Sequence, residues 1–177
     1  MDCRLANQAY EREIAFVATP FGEIQLSASG GVLLDIEVLP AGAEVAQRKQ
    51  VLGNGLLKEA VEQILRYLDD PSVQFVLPLR SQGTPFQQGV WQVLRQIPAG
   101  RTLSYGELAK CVRSGPRAVA SACKSNRFPI IIPCHRVVSA RGLGGYCGKT
   151  DGPMLEIKRW LLGHEGYFLG EDRDSSV

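Results

Sequence analysis

Histidine, methionine and tryptophan are scarce in this chain of 177 residues, with two of each. The two histidines, His135 and His164, have no closely spaced cysteine partners, so a structural zinc site is not expected. The five cysteines (Cys3, Cys111, Cys123, Cys134 and Cys147) are odd in number and include no Cys-x-x-Cys pair. That argues against a disulfide framework and for a reducing compartment. Long hydrophobic runs are missing too. The apolar stretch Phe128–Pro133 is only strand-sized, far short of the ~20 residues that cross a bilayer, so no membrane association is expected. Met1-Asp2-Cys3-Arg4 has no basic start ahead of an apolar core, so no signal peptide is expected. Neither a repeat nor a low-complexity tract occurs. What remains is 45% apolar and 21% charged, as in a soluble globular protein of one domain or two small ones.

Net charge is slight at +2, but it is unevenly placed. Arg95–Arg141 holds nine basic residues and one acid, Glu107, whereas the rest holds 11 basic and 17 acidic residues. Such asymmetry points to a polyanionic partner for one part of the chain, a solvated basic face being the plainer alternative.

Residues 14–39 read as strands with tight turns: Ile14–Ala18, Ile24–Ala28 and Val32–Leu39, separated by Pro20-Phe21-Gly22 and Ser29-Gly30-Gly31. Asn54–Leu68 carries a helical stripe of Leu57, Val61, Ile64, Leu65 and Leu68. Asp69-Asp70-Pro71 stops that helix, Pro78–Gly83 reads as a linker, and a domain boundary is expected near residue 82. Thr84-Pro85 caps a further helix with Phe86, Val90, Val93, Leu94 and Ile97 on one face. Ser104 and Glu107 have capping-box spacing, with Leu103 and Leu108 placed as a staple, and that short helix should reach about Val112. After the turn Arg113-Ser114-Gly115-Pro116, another helix should run to about Asn126. Two short helices around a Gly-containing turn match a helix-turn-helix. In the second, Val119, Ala122 and Cys123 should face inward, while Arg117, Ser121 and Lys124 line the opposite side.

Ile130-Ile131-Ile132-Pro133-Cys134-His135-Arg136 places a thiol at the end of what reads as an apolar strand, followed by an imidazole and a guanidinium. A thiol attacks as its thiolate, and adjacent positive charge with a proton acceptor favours that form. The alternative is a buried structural cysteine.

Pro133-Cys134-His135-Arg136-Val137-Val138 does not stand alone. Ser104-Tyr105-Gly106-x-Leu108-Ala109, then Arg117-Ala118-Val119 and Asn126, precede it. Gly145-Tyr146 and Lys158-x-Trp160-Leu161-Leu162-x-His164-Glu165-Gly166 follow. In these motifs the chain resembles the O6-alkylguanine-DNA alkyltransferases, direct-reversal DNA repair proteins, strongly over Thr84–Gly166 and only in length and pattern before that. The resemblance implies an α+β chain of two domains. Residues 1–82 would form an RNase H-like domain of a small β-sheet plus helix. Residues 83–170 would form a mainly helical, winged-helix-like domain carrying the helix-turn-helix, and residues 171–177 a polar tail. The implied activity is irreversible, stoichiometric transfer of an alkyl group from O6-alkylguanine to a cysteine after base flipping, with O4-alkylthymine left open as a second substrate. No cofactor or metal is implied. The partner would be double-stranded DNA containing alkylated guanine, entered through the minor groove. The protein would be a monomer, with cooperative packing on DNA left open, in a bacterial-type cytoplasm and on the nucleoid when bound.

By the same resemblance Cys134 is the nucleophile, His135 deprotonates it through a water, and Glu165 orients that histidine. Asn126 ties the turn after the second helix to the thiolate strand. Tyr105 donates to the departing guanine and crowds the 3′ phosphate. Arg117 replaces the flipped base in the stack, and Ser104, Ser121 and Lys124 join it against DNA, Lys124 also assisting polarisation. Val137 and Cys134 carbonyls read the exocyclic amine, the Cys147 amide reaches O6, and Tyr146 and Pro129 complete the pocket. His164 is expected at the surface, Trp91 and Trp160 in the core, Arg136 in a fold or phosphate contact, and Cys3, Cys111 and Cys123 as structural thiols. Cys147 stands where the family has a small residue. It is expected to pack, the alternative being an oxidation partner for Cys134. The segment 148–154 is longer than in many relatives, and the zinc ligands of some relatives' first halves are missing. A non-catalytic damage sensor of this fold, a cysteine hydrolase, or a thiol redox regulator with Cys147 as resolving residue remain alternatives. The presence of Cys134 counts against the first, and the lack of a second convincing histidine against the second.

Overall fold

Alternation of side chains on opposite faces gives the first half its shape. Three antiparallel strands, β1 (Glu13–Thr19), β2 (Gly22–Ser29) and β3 (Val32–Pro40), pair in the order β1-β2-β3, with a register irregularity at Ser27/Ala28. The computed structural model describes residues 12–43, 55–80 and 82–167. Cys3, residue 54 and the tail over 171–177 lie outside the described residues. Ala15, Val17, Ile24, Leu26, Leu33, Ile36 and Val38 are buried in the core that the sheet shares with helix α1 (Leu56–Asp69).

The buried face of α1 differs from the stripe expected for it. Leu57, Ala60, Gln63, Ile64 and Tyr67 are buried, whereas Val61 and Leu68 are half-buried and Leu65 is exposed. Counting aliphatic residues alone rotated the stripe, because Ala60 carries little bulk and Tyr67 and Gln63 carry polar atoms. Those atoms are satisfied inside: Gln63 Nε2 donates to Val76 O at 3.1 Å, and its Oε1 accepts from Val76 N at 2.9 Å. The linker expected over Pro78–Gly83 is pinned along part of its length. Leu33 N donates to Pro78 O and Arg80 N to Leu33 O, so this stretch runs beside β3.

In the second half, Thr84 caps α2 (Pro85–Gln96) in a reciprocal capping box with Gln87. Val90, Trp91 and Leu94 face inward and Trp91 Nε1 donates to Ala122 O at 2.9 Å, whereas Phe86, expected on that face, is exposed. The two-residue strand β4 (Leu103–Ser104) leads into α3 (Tyr105–Cys111), capped by Ser104 and Glu107 as their spacing predicts. Then α4 (Pro116–Lys124) buries Val119, Ala122 and Cys123, with Arg117, Ser121 and Lys124 exposed. β5 (Val137–Val138) pairs in parallel with β4, which sets the α3 N-terminus beside the chain leaving Cys134. Helix α5 (Pro153–His164) closes the structure, giving five α-helices and a small antiparallel sheet among the described residues. None of those helices is long and apolar enough to cross a membrane.

Replacing Thr84 by alanine removes the side-chain half of the α2 cap. Thr84→Ala is expected to cost about 1 kcal/mol, read as a lower urea midpoint at unchanged slope; an unchanged midpoint would show the cap to be dispensable.

Candidate functional site

Cys134 does not end a strand. The run before it closes on itself, with Ile132 N donating to Phe128 O and Cys134 N to Ile132 O, both at 2.8 Å. Prolines 129 and 133 remove two ladder donors from this run, so it cannot serve as a sheet interior. Ile130 adopts φ 75°, a left-handed conformation that costs a β-branched residue roughly 1–3 kcal/mol. Burial of Phe128, Ile130, Ile131 and Ile132 holds it there. Cys134–Arg136 then make one turn of 3-10 helix.

Asn126, just beyond α4, fixes the sulfur. Its Nδ2 donates to Ile132 O at 2.8 Å and reaches Cys134 Sγ at 3.3 Å, while its Oδ1 accepts from Phe128 N at 2.9 Å. Cys134 is held below the ordinary thiol value. The Cys147 thiol donating to its sulfur contributes most; with Asn126 and the Lys158 charge it outweighs burial. Lys158 lies on α5 with a fully buried side chain, and its ammonium donates to Val137 O and Leu143 O at 2.6 Å and Gly145 O at 2.9 Å. Three donors meet three carbonyls. Burial pushes Lys158 down to about 8, opposed chiefly by the Cys134 sulfur, so it remains mostly charged at neutral pH.

Behind the thiol lies a carboxylate hub. Glu165 follows the last turn of α5, and its Oε1 receives His135 Nε2 at 2.7 Å, Tyr67 Oη at 2.7 Å and Arg136 Nη2 at 2.8 Å; Arg136 Nε reaches Oε2 at 2.9 Å. Burial by itself would raise this carboxyl, but the hydrogen bonds of His135 and Arg136 and the guanidinium charge hold it down at about 2. His135 is wholly buried, and burial keeps its pKa below the usual imidazole value against the pull of Glu165. A neutral ring donating from Nε2 leaves Nδ1 as acceptor, and that buried Nδ1 has no protein partner. Gly100 permits the close packing here: at φ 75° it approaches so near that a Cβ would lie 2.8 Å from Glu165 O.

A cavity of about 390 Å³ opens over the sulfur, within the usual range of ligand pockets, about 300–1,000 Å³. Of the residues singled out by sequence, Tyr105, Ser121, Lys124, Cys134, Tyr146 and Cys147 line it. Burial pushes the Tyr105 hydroxyl up to about 12, so it remains a donor. His135, Glu165 and Asn126 sit behind or beneath the thiol rather than in the lining. Pro129 and Val137, expected in the pocket, are buried outside that lining, and Val137 O is taken up by Lys158. Arg117 is exposed on α4, and Ser104 is engaged in the α3 cap. His164 is no free surface residue: it stacks on Trp160 and its Nε2 lies 2.9 Å from Tyr67 O. Trp91 is buried, Trp160 is half-buried against Phe21, and Arg136 serves the fold. Cys123 is buried but also borders the cavity, and Cys111 is exposed.

Tyr67 was passed over by the sequence reading, and Lys158, named there in a motif, was given no role. Lys158 had a readable signal: with Met154, Ile157 and Leu161 it occupies the i, i+3, i+4, i+7 stripe of α5, where a cation must find internal acceptors. Tyr67 had none, since its partner is 98 residues away.

Residues 85–167 match the family described as 6-O-methylguanine DNA methyltransferase, DNA binding domain. The chain is 40% identical over 146 residues to the methylated-DNA–protein-cysteine methyltransferase of Mycobacterium leprae, covering 80% of this chain and 88% of that one. It is 39% identical over 140 residues to the Shigella flexneri protein of the same name, covering 77% and 76%. Among solved structures it is similar to the O6-methylguanine methyltransferase of Mycobacterium tuberculosis, with TM-score 0.72, 35% identity, and 88% and 93% of the two chains covered. Similarity extends to Mycobacterium tuberculosis OGT in complex with DNA, with TM-score 0.71, 35% identity and 86% and 92% covered.

The Glu165 hub generates a pH-dependent stability. Its carboxyl is depressed from 4.5 to about 2 on folding, so the contribution is complete above 4.5 and is lost as pH falls towards 2. Glu165→Gln should cost on the order of 3–5 kcal/mol in urea unfolding at neutral pH, with a shallower loss on acidification. Wild-type stability in that variant would remove the hub from its structural role.

Proposed function

The chain belongs to the O6-alkylguanine-DNA alkyltransferase family, and we propose that Cys134 is its alkyl acceptor, with Asn126, Lys158, His135 and Glu165 maintaining the reactive sulfur. The protein carries out direct-reversal DNA repair, moving the alkyl group from O6 of guanine in DNA to a cysteine in a single irreversible turnover. The observation that carries the assignment of Cys134 is its sulfur at the cavity wall, with Asn126 3.3 Å away and its ionised form favoured.

In this reading the Cys134 thiolate attacks the alkyl carbon in line. The carbon–sulfur bond forms as the carbon–O6 bond breaks, and its electron pair leaves with guanine. Tyr105, protonated at neutral pH and lining the cavity, donates to the ring as charge develops. His135 Nδ1, the acceptor left open by the bond to Glu165, takes the thiol proton through a water. Glu165 fixes the ring and its tautomer, the role of the orienting member of a nucleophile–base set.

DNA would lie against α4. Its buried face is Val119, Ala122 and Cys123, leaving Arg117, Ser121 and Lys124 outward, and the cavity shares Ser121 and Lys124 with that outward face. A base therefore has to leave the duplex to meet the sulfur, which costs a few kcal/mol. Arg117 is read as the residue that fills its place, with the small Ala118 and Ala120 allowing α4 to enter a minor groove. The α3–α4 pair with the β4–β5 ladder supports a winged-helix-like description of residues 83–170, and the sheet with α1 an RNase H-like description of residues 1–82. A monomer in a reducing cytoplasm suits a protein that depends on a free thiol.

Duplex DNA containing O6-methylguanine should add one methyl group to the Cys134 peptide, seen by mass spectrometry, and Cys134→Ser should abolish it; label on Cys147 instead would overturn the assignment. Arg117→Ala should slow transfer from duplex DNA more than from the free alkylated base, and equal slowing would refute the stacking role.

A further inference from the structure

We propose that Cys134 and Cys147 form a redox-active dithiol at the mouth of the cavity, a modification site for hydroperoxides that closes into a disulfide. The loss of repair that follows rests on Cys134 being the acceptor; the bridge itself does not.

Three thiols border this cavity, Cys123, Cys134 and Cys147, but they are not equivalent. Cys147 is exposed, on a loop that turns through two left-handed residues, Cys147 at φ 45° and Gly148 at φ 78°. Its thiol interacts with the Cys134 sulfur across the shared cavity, and the neighbouring Tyr146 hydroxyl is buried with no hydrogen-bond partner. Cys123 is buried, and burial pushes its thiol up to about 12, whereas Cys147 reaches solvent. One sulfur is thus biased toward its thiolate, a second shares the cavity with it from a solvent-reached loop, and the third is buried away from solvent.

Peroxide chemistry follows that order. The Cys134 thiolate attacks one oxygen of the hydroperoxide; the O–O bond breaks, leaving Cys134 as a sulfenic acid and releasing hydroxide or alkoxide. The Cys147 sulfur then attacks the sulfenic sulfur. An S–S bond forms, the S–O bond breaks, and the departing hydroxide takes the Cys147 proton as water. Two thiols have given two electrons to one peroxide. The Cys147 thiol is held high chiefly by its interaction with the Cys134 sulfur. Oxidation of Cys134 removes that interaction and frees Cys147 to attack. A bridge of this kind stops oxidation before the irreversible sulfinic acid and leaves the acceptor recoverable by a dithiol reductant.

Full-length protein treated with hydrogen peroxide, then digested without reductant, should yield a peptide pair joined through Cys134 and Cys147, lighter than its parts by two hydrogens. It should stay monomeric on a non-reducing gel. Methyl acceptance from alkylated duplex should be lost with peroxide and regained with dithiothreitol. In Cys147→Ser, compared with its own untreated sample, peroxide should leave Cys134 as sulfinic acid and dithiothreitol should not restore acceptance. Cys111→Ser should behave as wild type. A bridge from Cys134 to Cys123, a bridge between chains, or full recovery in Cys147→Ser overturns the proposal. A protein that forms the Cys134–Cys147 bridge yet accepts no methyl when reduced refutes the acceptor role and leaves the dithiol standing.

Discussion

One buried carboxylate organises this molecule. Glu165 takes four hydrogen bonds from three side chains, His135, Arg136 and Tyr67, that come from distant parts of the chain. Taking such a charge out of water costs several kcal/mol, and only a full set of well-aligned donors offsets that. Arg136 also reaches Ile97 O, so the same guanidinium ties the end of α2 to the hub. The 3-10 turn bearing the thiol is therefore fixed from behind by ions and hydrogen bonds, and from in front by Asn126.

The sulfur faces a cavity whose near wall is α4, and α4 is also the helix whose outward side carries the basic residues. Its inner side is clamped to α2 through Trp91 and Ala122, and its end passes into Asn126. In the proposed reading, nucleic-acid contact and placement of the nucleophile share one short helix. Lys158 completes the arrangement from the opposite side, drawing three loop carbonyls inward and setting positive charge near the thiol.

Much of this was legible in the sequence. The three strands, the Thr84 and Ser104 caps and the inward face of α4 follow from local periodicity and capping chemistry, which depend on neighbours a few residues away. The motif residues named Cys134, His135, Asn126 and Glu165, and the structure brings them together. What escaped depended on distance in the chain. The apolar run before Cys134 has a strand's composition, yet two prolines and tertiary burial fold it into a turn. Phe86 and Leu65 continue apolar stripes but lie outside, because Trp91 and Tyr67 occupy the inward positions. The β4–β5 pairing joins residues more than 30 positions apart and leaves no local trace.

The Tyr67 hydroxyl bears on how the chain can be divided. All the reactive groups fall after Thr84, which invites the view that the first half is a dispensable appendage. Its α1 nonetheless supplies a phenol donor to Oε1 of Glu165, and its Tyr67 carbonyl meets His164. A fragment starting at α2 would keep every chemical part and still leave a sequestered anion one proton donor short, so the front half acts as a buttress that the reactive half was built to lean on.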